Sequence, residues 1–291
     1  MKGIKKLLAL LLAMSMMVFA FAACSNQDAS QSQNPSQDVT PSNEPADSQE
    51  PANSDAGSAT GDYGEFTTVE EGKLIMSTNA AFPPYEMTDD SGNVVGIDAE
   101  IAGAIADKLG LELVIDDMDF DAAQLAVQQG KSDICMAGLS VTEDRLLVMD
   151  FSDSYATGIQ VVIVPEGSDV TLDNLGEQLI GTQRATTGNI YCTDDYGEDH
   201  VIAYDDGIVA VQDLLNGKVD AVVIDKAPAQ EFVSANPGLV ILDTEYANED
   251  YAIGVAKGNT ALVDAVNGAL AELTADGTIQ SIIEKYIPAE G

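Results

Sequence analysis

The feature that most restricts the fold is an alternation of short β-branched apolar runs with segments whose apolar residues recur at helical spacing. Residues 74–78, 111–115 and 134–137 read as strands, and 99–109 and 122–129 as helices between them. In 99–109, Ile101, Ala104, Ile105, Lys108 and Leu109 keep the i, i+3, i+4 spacing, and Gly110 ends the segment. A second set follows, with strands at 159–164, 179–182, 219–224, 239–242 and 251–256. Its helices are expected to open at Thr187 and to span 207–216 and 227–234, and two more, 261–274 and 278–286, follow the last strand. Strand–helix–strand order implies parallel sheets covered by helices. Two such sets imply an α/β chain of two lobes.

The N-terminal segment is of another kind. Lys2, Lys5 and Lys6 precede an apolar run from Leu7 to Ala23, the pattern of a secretory signal over residues 1–23. Phe21-Ala22-Ala23-Cys24 resembles a bacterial lipobox, with Phe21 where Leu is usual. The resemblance implies that Cys24 is acylated and holds the chain on a membrane. Up to residue 63 the composition is Ser, Asn, Gln, Asp, Pro and Ala, with seven acids and no base from residue 25 to 62. Such a stretch buries too little apolar surface to offset its ordering entropy. It reads as a disordered acidic tether spanning roughly 35 Å on average.

Charge excludes one class of partner. The formal net charge is −37, and cleavage of the three signal lysines makes the mature chain more acidic still. Nucleic acid needs clustered bases, so it is not an expected partner. Anionic lipid headgroups would be repelled too, so acyl chains would have to supply the anchor. Cys135 sits in an apolar run and Cys192 in a different unit, so both read as buried free thiols. No cluster has metal-ligand spacing, and no metal or cofactor is expected. His200, among Glu198 and Asp199, reads as a solvated loop residue.

In open α/β sheets ligands bind at the carboxyl ends of strands. The residues following those ends are Asn79 and Phe82-Pro83-Pro84-Tyr85; Gly138, Ser140, Thr142 and Arg145; Gln183, Thr186, Thr187 and Gly188; and Asp225. They offer one cation, one anion, hydroxyls and an aromatic wall. Those are the groups that a zwitterion needs.

At these residues the chain resembles extracellular solute-binding protein family 3, the polar-amino-acid receptors of ABC importers. The motifs run in family order: Phe82-Pro83-Pro84-Tyr85-Glu86, Gly96-Ile97-Asp98-Ala99-Glu100, Asp133 to Arg145 with Asp150-Phe151-Ser152, Gln183 to Gly188, Val219 to Asp225, and Asp276-Gly277-Thr278. The resemblance covers residues 74–286. It implies a two-lobed, periplasmic-binding-protein-like type II fold, each lobe a mixed, mostly parallel sheet flanked by helices, joined by two hinge strands. Lobe 1 would comprise 64–156 and 251–291, and lobe 2 157–250. The ligand would sit between the lobes, which close on it.

The resemblance also assigns roles. Arg145 would fork onto the ligand α-carboxylate, as the planar guanidinium suits. Asp225 would accept the α-ammonium, unless it only caps the following helix. Gly138 would offer a carbonyl to the ammonium, and Ser140 its hydroxyl and amide. Thr187 and Gly188 would present backbone donors at a helix N-terminus, with Thr186 and Gln183 beside them. Phe82 and Phe120 would sandwich the ligand side chain. Asn79 would touch its far end, and an amide there disfavours lysine or arginine, although Asp119 and Asp121 could restore negative charge. Tyr85 and Glu86 are expected to shape the lobe rather than touch ligand. Ala185 departs from the family's usual Gly. The expected partners are a free amino acid, the transmembrane subunits of an ABC importer and a membrane reached through the lipid anchor; the chain is expected to act as a monomer outside the cytoplasm. Two rivals share the fold: an extracytoplasmic sensor, and enzymes such as a dehydratase. A sensor would call for a signalling domain after the body, and an enzyme for a cleft acid not already given a binding role.

Overall fold

The structure, a computed structural model, describes residues 63–243 and 245–288. The expected signal, Cys24 and almost all of the tether lie outside them. The first strand, β1 (Lys73–Thr78), is buried from Leu74 onward, so both of its faces are covered. That is why it reads as a continuous apolar run rather than an alternating one. Three short strands, β2 (Ala81–Phe82), β3 (Glu86–Thr88) and β4 (Val94–Val95), then form a small antiparallel sheet of their own. Helix α1 (Ile97–Leu109) stops at Gly110, whose φ of 71° is the left-handed conformation that glycine adopts freely.

The main sheet grows on both sides of β1. Strand β5 (Glu112–Asp117) pairs with it in parallel, and β6 (Ile134–Cys135) does so on the other side. Between them lies α2 (Phe120–Gln128), and after them α3 (Glu143–Val148). Strand β7 (Met149–Pro165) is far longer than the expected 159–164. Beyond it come β8 (Ile180–Gln183), α4 (Thr187–Tyr196), β9 (Val201–Tyr204), α5 (Gly207–Leu215), β10 (Ala221–Asp225), α6 (Lys226–Ala235), β11 (Leu239–Ile241) and β12 (Ala247–Ala256). Helices α7 (Thr260–Ala275) and α8 (Thr278–Tyr286) follow β12.

The sheet is continuous, in the order β5-β1-β6-β12-β7-β10-β8-β9, with β11 also on β7. β1, β5 and β6 are mutually parallel in one lobe, and β8, β9 and β10 in the other. The antiparallel pair β7–β12 runs between the two groups. The expected lobe boundaries, at 156/157 and 250/251, fall inside these two strands, where Thr157 pairs with Asp250. The largest core runs through both lobes, from Leu74, Ile101, Ile105, Val266 and Leu270 to Leu214, Ile224 and Phe232. A smaller cluster lies within each lobe: Phe120, Ala123, Leu139 and Met149 in the first, and Val162, Leu175, Ile180 and Val223 in the second. Cys135 and Cys192 are buried free thiols, and burial pushes each up to about 12. His200 is half-buried, its Nδ1 3.2 Å from the Gln178 carbonyl, rather than solvated in a loop.

Candidate functional site

The strand ends and loops of both lobes converge on one cavity. From the first lobe come Asn79, Phe82, Phe120, Gly138, Ser140 and Arg145; from the second, Gln183, Thr186, Thr187 and Asp225. Glu86 and Ala137 also line it. Gly188 does not; it stands one residue behind, where a Cβ would meet Gln160 Oε1 at 2.8 Å. The enclosed space is about 10 Å³, room for about one water molecule.

Arg145 leads the chemistry. It lies on α3, whose first turn is capped by Thr142: the hydroxyl accepts from the Arg145 N–H at 3.2 Å. The side chain is 6% exposed. Nη1 donates to the Ser140 carbonyl at 2.7 Å, and Nη2 crosses to the second lobe to donate to the Ala185 carbonyl at 3.0 Å. The guanidinium lies 5.5 Å from the Phe120 ring centroid, a cation–π distance. No carboxylate pairs with it among the ion pairs of the described residues, neither neighbouring Glu143 nor Asp144. Burial holds its pKa below the ordinary arginine value. A buried, fork-shaped cation that bonds only to carbonyls is equipped to receive a carboxylate.

Asp225 ends β10 and stands at the cap position just before α6, yet its side chain makes no capping bond there. Oδ1 instead accepts from the Tyr251 hydroxyl and Oδ2 from Gln160 Nε2 at 2.8 Å. Burial is the main influence on its carboxyl and raises it to about 7, aided by the nearby Glu249 and opposed by the Tyr251 and Gln160 bonds. A cationic partner would reverse that shift.

The remaining positions are tightly set. Gly138 has a φ of 52°, and a Cβ there would stand 2.8 Å from the Phe82 ring, so glycine is required twice over. Its N–H donates to Asp98 Oδ2 at 2.9 Å, and Tyr155 donates to Oδ1 at 2.8 Å. Burial raises Asp98 to about 6. Glu86 is wholly buried beside it, pushed well above the carboxylate range by burial and then by Asp98. Glu86, expected to shape the lobe rather than touch ligand, is among the residues that line the cavity. Tyr85 is in the core, edge-on to Tyr251 with ring centroids 5.2 Å apart. Thr186 caps α4, accepting from the Asn189 N–H and donating to the Gln183 carbonyl at 2.7 Å. Asn79 bridges the lobes: Oδ1 accepts from Gln183 Nε2 at 2.8 Å, and Nδ2 donates to Asp206 Oδ1 at 3.3 Å.

Sequence reasoning missed Gln160, Asp206, Glu249 and Tyr251. Gln160 left a trace, an amide inside the β-branched run Ile159–Val164. Glu249 left none, since it stands in the acidic stretch Glu245–Asp250. Asp119 and Asp121, considered for negative charge, do not line the cavity; the Asp206 carboxylate is the one bonded to Asn79. The described residues contain no group of acids, cysteines or histidines able to hold a metal ion. None of their helices is long and apolar enough to cross a membrane.

Comparison with known proteins gives one consistent result. The family model for bacterial extracellular solute-binding proteins, family 3, matches residues 74–289. A probable histidine-binding protein of Neisseria gonorrhoeae is 31% identical over 223 residues, covering 74% of this chain and 83% of that protein. Among solved structures, an ancestral arginine-binding protein bound to glutamine has a TM-score of 0.71 and 38% identity, covering 75% of this chain and 98% of that one. The arginine-, lysine-, histidine-binding protein ArtJ of Geobacillus stearothermophilus has a TM-score of 0.71 and 32% identity, covering 75% and 96%.

Proposed function

Because the chain belongs to family 3 of the bacterial extracellular solute-binding proteins, we propose that it captures a polar amino acid outside the cytoplasm and delivers it to an ABC importer. The observation that carries this reading is Arg145: a buried cation at the lobe interface, bonded to two carbonyls and to no carboxylate. It would take the ligand α-carboxylate, with backbone N–H groups at the start of α4 assisting. Asp225, on the other lobe, would take the α-ammonium together with the Gly138 carbonyl. Phe82 and Phe120 would flank the ligand side chain, and Asn79 and Gln183 would meet its polar end. The two charges belong to different lobes, so a zwitterion satisfies both only when the lobes are shut. Its differential affinity for the shut state shifts the balance toward closure. The relatives named above bind histidine, arginine, lysine or glutamine, and all of these share the zwitterionic head.

The anchor reading rests on Cys24 and the residues before it. Acylation there would keep the receptor beside its importer on the outer face of the membrane. A Cys24→Ser variant should then leave the cell membrane for the soluble fraction, and persistence of the variant in the detergent fraction would sink the idea.

The capture claim is tested with the body, residues 63–291, by thermal shift and calorimetry against the twenty amino acids. A true ligand raises the melting temperature by mass action. Arg145→Met should abolish the response while the far-ultraviolet spectrum stays unchanged. Retained affinity in that variant would refute the carboxylate role.

A further inference from the structure

Glu249, on β12, has no part in the zwitterion trap described above, yet it organises the cleft. Its Oε2 accepts from Ser140 Oγ at 3.1 Å, from Thr187 Oγ1 at 2.8 Å and from Gln160 Nε2 at 3.0 Å. Ser140 belongs to the first lobe, and Thr187 and Gln160 to the second, Gln160 on β7 a few residues past the 156/157 boundary. One carboxylate oxygen thus gathers donors from both lobes and from the strand that joins them.

The direction of these bonds has a chemical consequence. A carboxylate oxygen only accepts, and a hydroxyl has a single proton to give. Ser140 and Thr187 give theirs to Glu249, so the hydroxyl oxygens lining the cavity present lone pairs to it. Gln160 points the same way, its amide N–H groups held by Asp225 and Glu249 and, at 3.4 Å, by Thr187 Oγ1, which keeps its second lone pair for the cavity. This wall of the cleft therefore offers acceptors: two hydroxyl oxygens and the Asp225 carboxylate. An ammonium, with three N–H groups, matches that set, and a carboxylate does not. The charge of Glu249 also acts on Arg145, Asp225 and Tyr191.

We propose that Glu249 is a positioning residue that fixes the hydroxyl polarity of Ser140 and Thr187, and thereby makes this wall select an ammonium over an uncharged group of the same size. The inference rests on reading the cleft as an amino-acid site.

The test compares two ligands on three proteins by calorimetry. L-histidine, L-arginine and L-glutamine are first titrated into the wild-type body. The tightest is then paired with its α-hydroxy acid, in which a hydroxyl replaces the ammonium. Glu249→Gln should lower the preference for the amino acid by about tenfold or more, the value of one hydrogen bond to a charged group. The glutamine amide can donate, which frees the two hydroxyls to turn. Thr187→Val, which removes one acceptor and keeps the shape, should weaken the amino acid more than the hydroxy acid. It serves as the readout if Glu249→Gln does not fold. Equal weakening of both ligands in either variant, or an unchanged preference, overturns the proposal. Failure of all three amino acids to bind the wild type would overturn the amino-acid reading itself, and this inference with it.

Discussion

Ala185 stands in the turn between β8 and α4 with a φ of 60°, and among the described residues it is the one non-glycine with positive φ. A Cβ in the left-handed region crowds the following carbonyl and costs about 1–2 kcal/mol. The turn is held there from both sides. The Thr186 hydroxyl bonds the Gln183 carbonyl behind it, and Arg145 bonds the Ala185 carbonyl from the opposite lobe. The family resemblance expects Gly at this position, and the backbone conformation explains why. Ala185→Gly should relieve the strain, less what glycine adds in unfolded-chain entropy. The expected net gain is about 0.5–1 kcal/mol in urea unfolding of the ligand-free body. A loss of stability would show that the alanine methyl is well packed and the strain small.

The β7–β12 pair is the element on which two-lobed behaviour depends. Residues 149–158 of β7 are buried only at every third position and carry Ser152, Asp153, Ser154 and Thr157, so their apolar signal is weak. They become strand because β12 pairs with them along their length, with register shifts near Tyr251 and Ala252. The same pair carries the missed site residues. Gln160 projects from β7, and Glu249 and Tyr251 from β12, so the connectors between lobes hold Asp225 and the hydroxyls of the cavity wall from behind. Helix α3 illustrates the opposite case. Its six residues, Glu143–Val148, are too few to show periodicity, and they are helical because the Thr142 hydroxyl caps the first turn. That cap fixes the backbone from which Arg145 enters the cleft.

At the scale of the whole molecule, stability should peak at mildly acidic pH. Burial raises Asp98 to about 6 and Asp225 to about 7, and raises Glu86 and Asp133 as well. The folded chain thus holds protons that the unfolded chain has already released. These groups favour folding fully below about pH 4 and progressively less as pH rises through 6 and 7. Asp89, Asp150, Asp213, Glu272 and Asp276 are lowered by hydrogen bonds or lysine partners and act oppositely. Their contribution is present above about pH 4 and lost below it. The formal charge of −37 adds self-repulsion that eases as carboxylates gain protons. Calorimetric melting of the ligand-free body should therefore show a melting temperature that rises from pH 8 to about 5 and falls below about 4. A steady rise from pH 5 to 8 would contradict the raised values at Asp98 and Asp225.

Most of the longer strands and helices were legible in the amino-acid sequence from local pattern, and the ten cavity-lining residues from strand ends together with the family resemblance, whereas the small β2–β4 sheet, α3 and β9 were not. A doubly covered strand is apolar throughout, a surface helix repeats every three to four residues, and ligand groups follow the ends of parallel strands. Arg145, Asp225 and Gly138 were visible for that reason, while Phe120 and the atypical alanine at 185 stood out only through the family resemblance. Four features required the fold: the length of β7, the Asn79–Gln183 and Asn79–Asp206 bridges, the placement of Gln160 and Tyr251 against Asp225, and the gathering of Ser140 and Thr187 onto Glu249. Each joins residues far apart in the chain, and no spacing along one segment encodes such a meeting. The sequence alone determined that a cation and an anion lie at strand ends in two lobes. Only the tertiary structure decided which way the hydroxyls between them point, because a hydroxyl proton follows its nearest acceptor, and that acceptor is brought by another strand.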